Sequence, residues 1–233
     1  SIKNVVIGES VSTIGDRAFD SCRIMSHISV PDSLTTIGDY AFSGCSYLNS
    51  ITIPNCVTTI KKKAFENCIS LTSIVIPGDI ETIQDCAFGG CESLTTLTIM
   101  GRVSDFSDGV FRDCINLSSF NGEYASTDNR CLIVDGVLNS FAIGCGATEY
   151  TIPDGVTTIG KFAFRDCSNL SNVSIPSAVT EIGKNAFTYC TSLKEITIPD
   201  GVTTIDNAAF EGCSNLSNVS IPNSVKEIGY SAV

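Results

Sequence analysis

The sequence predicts a solenoid, in which short parallel β-strands stack coil upon coil around a continuous core. Three observations lead to this prediction: cysteine recurs every 23 residues, proline recurs with the same period, and apolar residues keep fixed places between them. The cysteines in phase are Cys22, Cys45, Cys68, Cys91 and Cys114, then Cys167, Cys190 and Cys213. Such a period is typical of repeat architectures, because one unit cannot bury its apolar face alone and each copy covers the next.

The first element of each predicted coil is a short β-strand that proline ends. In the stretch NSITIP, Ile51 and Ile53 alternate with Ser50 and Thr52, which predicts one buried row and one row facing solvent. Pro54 has no N–H to donate to a further ladder bond, so we expect a short strand. The same pattern centres strands on nine positions: Val6, Ser29, Thr52, Val75, Thr98, Thr151, Ser174, Thr197 and Ser220.

The rest of the coil contributes apolar side chains to the core at two further places. Val57 and Ile60 predict a second short strand on the opposite side of the coil. Ala64, Phe65 and Cys68 then follow the i, i+1, i+4 spacing of a single helical turn with its apolar side inward. The predicted coil is therefore a strand, a second strand and a short helical turn.

One complete unit reads L-x-x-I-x-I-P-x-x-V-x-x-I-x-x-x-A-F-x-x-C from Leu48 to Cys68. Its period lies within the range of about 20–29 residues of leucine-rich repeats, and its opening matches their strand signature. The combination of I-P, V-x-x-I-G and A-F-x-x-C resembles the BspA-type leucine-rich repeats of surface proteins from anaerobic gut and oral bacteria and some parasitic protists. The resemblance implies a leucine-rich-repeat solenoid, a curved right-handed array, without a catalytic function.

The predicted organisation is one leucine-rich-repeat solenoid domain over residues 1–233, which we expect to be a fragment of a longer array. Residues 1–116 hold the N-terminal repeats and residues 150–233 the C-terminal repeats. Between them, residues 117–149 form an irregular repeat of 30 residues, which the gap from Cys114 to Cys167 indicates.

The irregular repeat predicts an inserted β-hairpin at 131–141. Asp135-Gly136 is a strong two-residue turn signal, and it lies between the apolar runs Cys131 to Val134 and Val137 to Phe141. The insertion also resembles one that recurs in the same family. Insertions in repeat arrays often bind ligands, but many only bridge a local irregularity, and both interpretations stay open here.

Composition and charge exclude some classes of partner. The chain has 14 basic and 25 acidic side chains and a net charge of −11, and its longest basic run is Lys61-Lys62-Lys63. Phosphate backbones and anionic membranes need a larger basic surface, so we expect no nucleic-acid binding. The apolar runs are only a few residues long, so we expect no membrane insertion in this segment.

The side chains that could do chemistry are sparse. The only histidine, His27, takes an outward strand position, which favours a solvated polar side chain over a catalytic one. The sequence therefore predicts no catalytic residues, cofactor or metal site. An enzyme would need acids in a cleft near the hairpin.

The repeat cysteines predict a ladder of free thiols, because their Cβ atoms would stack slightly farther apart than a disulfide prefers. No C-x-x-C motif indicates zinc. The four cysteines out of register, Cys56, Cys86, Cys131 and Cys145, are open to pairing or reaction. Five N-x-S/T sequons either carry glycans or only reflect the repeated sequence NLSNVS. Their asparagines are Asn116, Asn169, Asn172, Asn215 and Asn218.

The outward residues of the first strands form the predicted interaction face. They are small hydroxyls and amides with a few charges: His27, Ser29, Ser50, Thr52, Ser73, Thr96, Thr98, Glu149, Thr151, Asn172, Ser174, Glu195 and Thr197. Without aromatic anchors such a face predicts broad, weak and multivalent binding. A purely solvated face is equally open, and a flat Ser/Thr array also suggests ice binding, although its mixed side chains match a lattice poorly.

The resemblance to surface proteins implies an extracellular or cell-surface interaction module that adheres to host matrix or other cells through a protein or cell-surface ligand. The alternative is a passive spacer that displays another domain of a longer surface protein. Fold alone decides neither function.

Overall fold

The computed structural model describes residues 2–233, so Ser1, the first residue of the predicted domain, lies outside it. The chain divides into a first unit that ends at Ala125 and a second unit, Ser126–Val233. Each unit is a β-solenoid with a repeat of 23 residues. The single domain over 1–233 stays a prediction.

The first unit contains ten short strands and follows the predicted order of two strands per coil. The strands are β1 (Asn4–Val6), β2 (Thr13–Ile14), β3 (His27–Ser29), β4 (Thr36–Ile37), β5 (Thr59–Ile60), β6 (Ser73–Ile76), β7 (Ile80–Ile83), β8 (Thr96–Ile99), β9 (Val103–Phe106) and β10 (Ser119–Gly122). All pairings are parallel and join residues 23 apart, such as Thr36 with Thr59. The second strands form one sheet, β2-β4-β5-β7-β9, whereas the first strands form two, β1-β3 and β6-β8-β10.

The second unit begins with the predicted hairpin. Its elements are β11 (Cys131–Val134), β12 (Val137–Phe141), a 3-10 helix (Ile143–Cys145), β13 (Glu149–Thr151), β14 (Thr158–Ile159), β15 (Asn172–Ser174), β16 (Glu181–Ile182), β17 (Glu195–Thr197), β18 (Thr204–Ile205), β19 (Asn218–Ser220) and β20 (Glu227–Ile228). The antiparallel pair β11-β12 turns at Asp135-Gly136, as predicted, and β12 then pairs in parallel with β14. The second strands continue as β14-β16-β18-β20, whereas the first strands form the pairs β13-β15 and β17-β19.

The core is the predicted set of stacked apolar columns. Leu48, Ile53, Ile60, Phe65 and Cys68 are all buried, and the corresponding residues of the next coil are buried with them. The phenylalanine rings stack nearly parallel: the centroids of Phe42 and Phe65 lie 5.1 Å apart with planes 10° apart. Ring separations of this size are typical of offset stacking, so each ring covers its neighbours from water.

The segment expected to form a helical turn contains overlapping tight turns instead. In the second coil the N–H groups of Ala41, Ser43 and Cys45 donate to carbonyls three residues earlier. The N–H groups between them donate to the next coil, as Phe42 N does to Ala64 O at 2.7 Å. Because every second N–H is used between coils, no i to i−4 helical ladder can form. The predicted inward spacing is correct, and the backbone forms a third inter-coil ladder.

This third ladder requires left-handed backbone at two places per coil. In the third coil, for example, φ is +56° at Lys63 and +58° at Asn67. The same positions of other coils hold Tyr40, Cys86 and Ala208, all with positive φ. Residues with a Cβ seldom adopt this region, so the inter-coil hydrogen bonds maintain it at a cost.

Proline explains part of the difference in length among the first strands. In the fifth coil Met100 replaces the usual proline, and its N–H donates to Ile76 O at 2.9 Å. The strands β6, β8 and β10 reach four residues there, against three in β13, β15, β17 and β19. A proline at this position cannot make that bond.

One predicted strand is absent. Residues 50–53, centred on Thr52, keep the alternation of buried Ile51 and Ile53 with exposed Thr52, but they pair with neither neighbouring coil. The buried isoleucines fix the direction of the side chains, and the backbone hydrogen bonds that define a strand are missing. Side-chain periodicity therefore predicts which side is buried, and it does not by itself predict pairing.

Candidate interaction face

The predicted interaction face lies on the first strands of both units. Of its residues only Thr96 and Thr98 are half-buried; the rest are exposed. His27 Nδ1 lies 2.9 Å from Oγ of the adjacent Ser26, and neither side chain is buried. The side chains therefore point outward as predicted, and their role as an interaction face stays a prediction.

The face is less regular than a continuous sheet. The second strands and the turn segments hydrogen-bond from coil to coil throughout each unit, and we call them the closed side. The first strands and residues 50–53, which we call the open side, lose their ladder between β3 and β6 and again between β15 and β17. Neighbouring coils at these breaks remain joined on the closed side, for example at Thr59 with Thr82 and at Glu181 with Thr204.

A cleft lies at the break in the first unit. This Ser50 cleft has a volume of about 300 Å³ and is lined by Ser50, Ile51, Thr52, Ile53, Ser73, Val75 and Pro77. The Thr72 N–H bonds to Asn49 O at 3.3 Å at one end. At the other end Gly78 approaches so closely that a Cβ there would collide with the Asn55 carbonyl oxygen. The cleft thus has an apolar floor and a hydroxyl rim.

A second cleft lies at the break in the second unit. This Glu195 cleft has a volume of about 400 Å³ and is lined by Asn172, Val173, Ser174, Ile175, Ser177, Glu195, Ile196, Thr197 and Pro199. Its rim is more polar than that of the Ser50 cleft and includes a carboxylate. Both volumes lie in the lower part of the range of about 300–1,000 Å³ for ligand pockets. The 23-residue repeat does not reveal the clefts, because it is the same in paired and unpaired coils.

The repeat cysteines form the predicted thiol ladder and also donate hydrogen bonds. The thiol of Cys68 lies 3.2 Å from Phe42 O in the preceding coil, and Cys91 Sγ lies 3.2 Å from Phe65 O. All twelve cysteines are free. Burial raises the pKa of the Cys45 thiol to about 12, helped by the neighbouring Cys22, and burial also raises the pKa of Cys68 and Cys91. These thiols stay protonated, as donors to the carbonyls require.

The cysteines out of register differ in environment. Cys56 is exposed and Cys145 is half-buried, whereas Cys86 and Cys131 are buried. Burial is the largest cause that raises the pKa of the Cys86 and Cys131 thiols. Thiolate is the reactive form, so the two buried thiols are poor nucleophiles.

The inserted hairpin is anchored by a polar network. Ser126 Oγ donates to Asp128 Oδ1 at 2.6 Å and accepts the Cys131 N–H at 2.9 Å. The Cys131 thiol lies 3.1 Å from the Tyr150 hydroxyl, whose pKa burial raises above its ordinary value. Every member has a partner, and the shifts oppose ionisation. The network therefore orders the loop rather than activating a nucleophile.

Two sequon asparagines have structural roles. Asn116 Nδ2 donates to Glu92 O at 2.8 Å, and Asn215 Nδ2 donates to Thr191 O at 2.7 Å, both in the preceding coil. All five sequon asparagines are exposed. Asparagine is therefore favoured at these two positions, because its carboxamide bridges consecutive coils.

Within residues 2–233 no three His, Cys, Asp or Glu side chains are grouped so that they could hold a metal ion. No helix in the same range is long and apolar enough to cross a membrane.

A family model for the BspA-type leucine-rich repeat region, in six copies, matches residues 1–121 and 138–233. The chain belongs to this family. The unmatched residues between the two ranges carry the polar loop, the strand β11 and the first residue of β12, so the BspA-type pattern is interrupted where the repeat length changes.

Solved structures of similar proteins support the same fold. A leucine-rich repeat protein from Eubacterium ventriosum has a TM-score of 0.71 at 23% identity, over 99% of this chain and 82% of that one. The pneumococcal vaccine antigen PcpA has a TM-score of 0.72 at 19% identity, over 97% of this chain and 58% of that one. A leucine rich cell surface protein from Faecalibacterium prausnitzii has a TM-score of 0.57 at 23% identity, over 99% and 88%. No curated protein matches the chain.

Proposed function

We propose that this BspA-type solenoid is a cell-surface adhesion module that binds a protein or cell-surface ligand through its open side. The family and its similar structures are leucine-rich repeat proteins, a fold suited to protein interaction, and one of the similar structures is a cell surface protein. The observation that carries the proposal is the pair of clefts, because both are lined by residues of the predicted face.

The open side favours weak, repeated contacts over one tight site. Its rims are hydroxyls, amides and a carboxylate, and the chain has no tryptophan. Interfaces of high affinity concentrate their energy in buried aromatic and arginine anchors. A repeat array compensates by engaging several sites together, since linked sites raise the effective concentration of each contact. We therefore place the affinity in the array and the specificity in the clefts.

Binding to immobilised host-matrix and cell-surface proteins tests the proposal. The test variant carries Ser50→Glu and Thr52→Glu on the rim of the Ser50 cleft. A control of equal charge carries Thr13→Glu and Thr59→Glu on the closed side, at a repeat position where Glu181 and Glu227 occur naturally. Circular dichroism verifies that both variants fold.

We expect the native chain and the control to bind the same surfaces and the test variant to bind at least fivefold less. Equal loss in both variants would mean that charge, not the open side, governs the contact. Absence of binding by the native chain across the panel would favour the alternative, a passive spacer that displays another domain of a longer surface protein.

A further inference from the structure

The second unit contains a double repeat of 46 residues. Its first strands alternate between E-x-T and N-x-S: Glu149 to Thr151, Asn172 to Ser174, Glu195 to Thr197 and Asn218 to Ser220. The ladder follows this alternation, since Glu149 pairs with Asn172 and Glu195 pairs with Asn218. No pairing joins Asn172 to Glu195. The Glu195 cleft therefore lies at the boundary between two double repeats.

The cleft is closed at both ends and has an apolar floor. The Lys194 N–H reaches Ser171 O at 3.3 Å at one end. At the other end a Cβ on Gly201 would lie 2.7 Å from Ser177 O, so the two coils touch there. Val173 and Ile196 are buried and, with Pro199, form the floor. An aliphatic chain that lies along the cleft can therefore pack against this apolar floor.

The walls offer unused backbone groups. No backbone hydrogen bond joins residues 172–175 to residues 195–198, although the strands run side by side. Strands of a parallel sheet direct N–H and C=O groups toward both neighbours, so those that face the cleft lack a protein partner. Polar groups of a bound segment that reach into the cleft can supply some of the missing donors and acceptors.

The only charged side chain among the lining residues is the exposed carboxylate of Glu195. The rim beside it carries the carboxamide of Asn172 and the hydroxyls of Ser174 and Thr197. Carboxylate and carbonyl oxygens accept the hydrogen bonds of an ammonium or guanidinium group. The net charge of −11 attracts cationic partners over the whole chain.

We propose that the Glu195 cleft binds a lysine or arginine side chain carried by an extended segment of a partner protein. The aliphatic stem lies over Val173 and Ile196, the cationic group meets Glu195, and the flanking peptide groups bond to the polar side chains of the rim. The inference rests on the proposed protein-binding function and names the chemistry that one of its sites recognises.

Titration of the full chain with blocked pentapeptides tests this assignment. The probe is acetyl-Thr-Lys-Thr-Lys-Thr-amide, and the charge-reversed probe replaces each lysine with glutamate. We expect saturable binding of the lysine peptide alone, at least tenfold weaker in Glu195→Gln. The matched control is Glu181→Gln, because Glu181 is an exposed glutamate of the closed side and does not line the cleft. We expect the control to bind like the native chain.

A second pair of variants tests the cleft itself. Ser174→Trp places a large ring in the cleft, whereas Ser220→Trp places one at the corresponding position 46 residues later. We expect only Ser174→Trp to abolish peptide binding. Binding should also weaken as NaCl rises from 50 to 500 mM, because salt screens an exposed ion pair.

Equal losses in Glu195→Gln and Glu181→Gln, equal binding of the acidic peptide, or no binding of either peptide would overturn the inference. Binding of an uncharged oligosaccharide that Ser174→Trp blocks and Glu195→Gln leaves intact would overturn it as well. If the surface-protein panel binds the native chain while the lysine peptide does not, only the cleft assignment fails. If neither binds, the proposed function fails as well.

Discussion

The open and closed sides of the coils share one sequence period but differ in their hydrogen bonding. On the closed side of the first unit, five second strands pair without interruption from β2 to β9. On the open side the first strands of the same coils break into separate sheets, and residues 50–53 pair with nothing. Stacking at a fixed period therefore does not require hydrogen bonds between every pair of neighbouring strands. A solenoid can be held together on one side and offer clefts on the other.

The difference follows from how many groups join neighbouring coils on each side. The closed side combines the second-strand ladder, the alternating turn N–H groups, the phenylalanine stack and the thiol bonds. The open side depends on one short ladder whose last N–H is usually removed by proline. Losing a few bonds there leaves the coils in contact, because the closed side still fixes their spacing.

Alkaline pH should have the largest effect, and it acts on the closed side. The pKa of Cys45 is about 12 in the folded chain against an ordinary 9.0, and the pKa values of Cys68 and Cys91 are also raised. Each of these groups binds its proton more tightly when folded, so its stabilisation is complete below pH 9 and is lost as pH rises toward the folded pKa. Because the losses add along the column, we expect cooperative unfolding below pH 12.

Urea titrations at several pH values in the presence of a reductant measure this loss. We expect the free energy of unfolding to fall steeply between pH 9 and 11. In Cys45→Ala the slope with pH should be shallower, since one proton fewer distinguishes the folded from the unfolded chain. A free energy of unfolding that stays constant from pH 8 to 11 would contradict the protonated thiol ladder.

Exchanging proline and methionine should change the length of the first-strand ladder, because proline removes its last N–H. Met100→Pro removes the N–H that donates to Ile76 O, so we expect a loss of about 1–2 kcal/mol in the free energy of unfolding. The control Met100→Leu retains the N–H. Pro199→Met restores an N–H at the corresponding position, where Ile175 O is the acceptor expected from the repeat, and should narrow the Glu195 cleft.

Amide hydrogen exchange distinguishes these outcomes. Met100→Pro should speed exchange in β8, and Pro199→Met should slow exchange in residues 196–199. If Pro199→Met leaves exchange in this segment unchanged, proline is not what keeps the open side unpaired there. The lysine-peptide titration then reports separately whether the cleft has narrowed.

Much of the architecture could be predicted because burial has a clear signature in the sequence. The alternation in NSITIP correctly predicts that Ile51 and Ile53 are buried, and Asp135-Gly136 correctly predicts the hairpin turn. In both cases the residue type has a strong preference for its position: isoleucine for the buried side of the strand, and Asp-Gly for a tight hairpin turn. The family resemblance is confirmed as well, since six repeat copies match most of the chain.

The clefts and the turn ladder could not be predicted because they depend on relations between coils. Thr52 and Thr98 hold equivalent positions, yet only Thr98 lies in a paired strand. Two sequence features do distinguish one coil from another. Met100 replaces proline in the fifth coil, and the first strands of the second unit alternate between the patterns of Glu149 and Asn172, so that each pattern recurs after 46 residues. The role of the predicted face stays a prediction.

The smallest effect concerns the left-handed backbone of the closed side. Ala208 has φ of +55°, and the adjacent Ala209 does not share this conformation. Glycine adopts positive φ without a Cβ clash, which relieves about 1–2 kcal/mol, more than the buried methyl group of Ala208 and the added freedom of the unfolded chain cost, so Ala208→Gly should raise the free energy of unfolding by about 0.5 kcal/mol. Ala209→Gly should lower it by a similar amount, because it removes a buried methyl group and adds freedom to the unfolded chain. Urea unfolding at neutral pH compares the pair. Equal losses in both variants would mean that the inter-coil hydrogen bonds accommodate a side chain at Ala208 without strain.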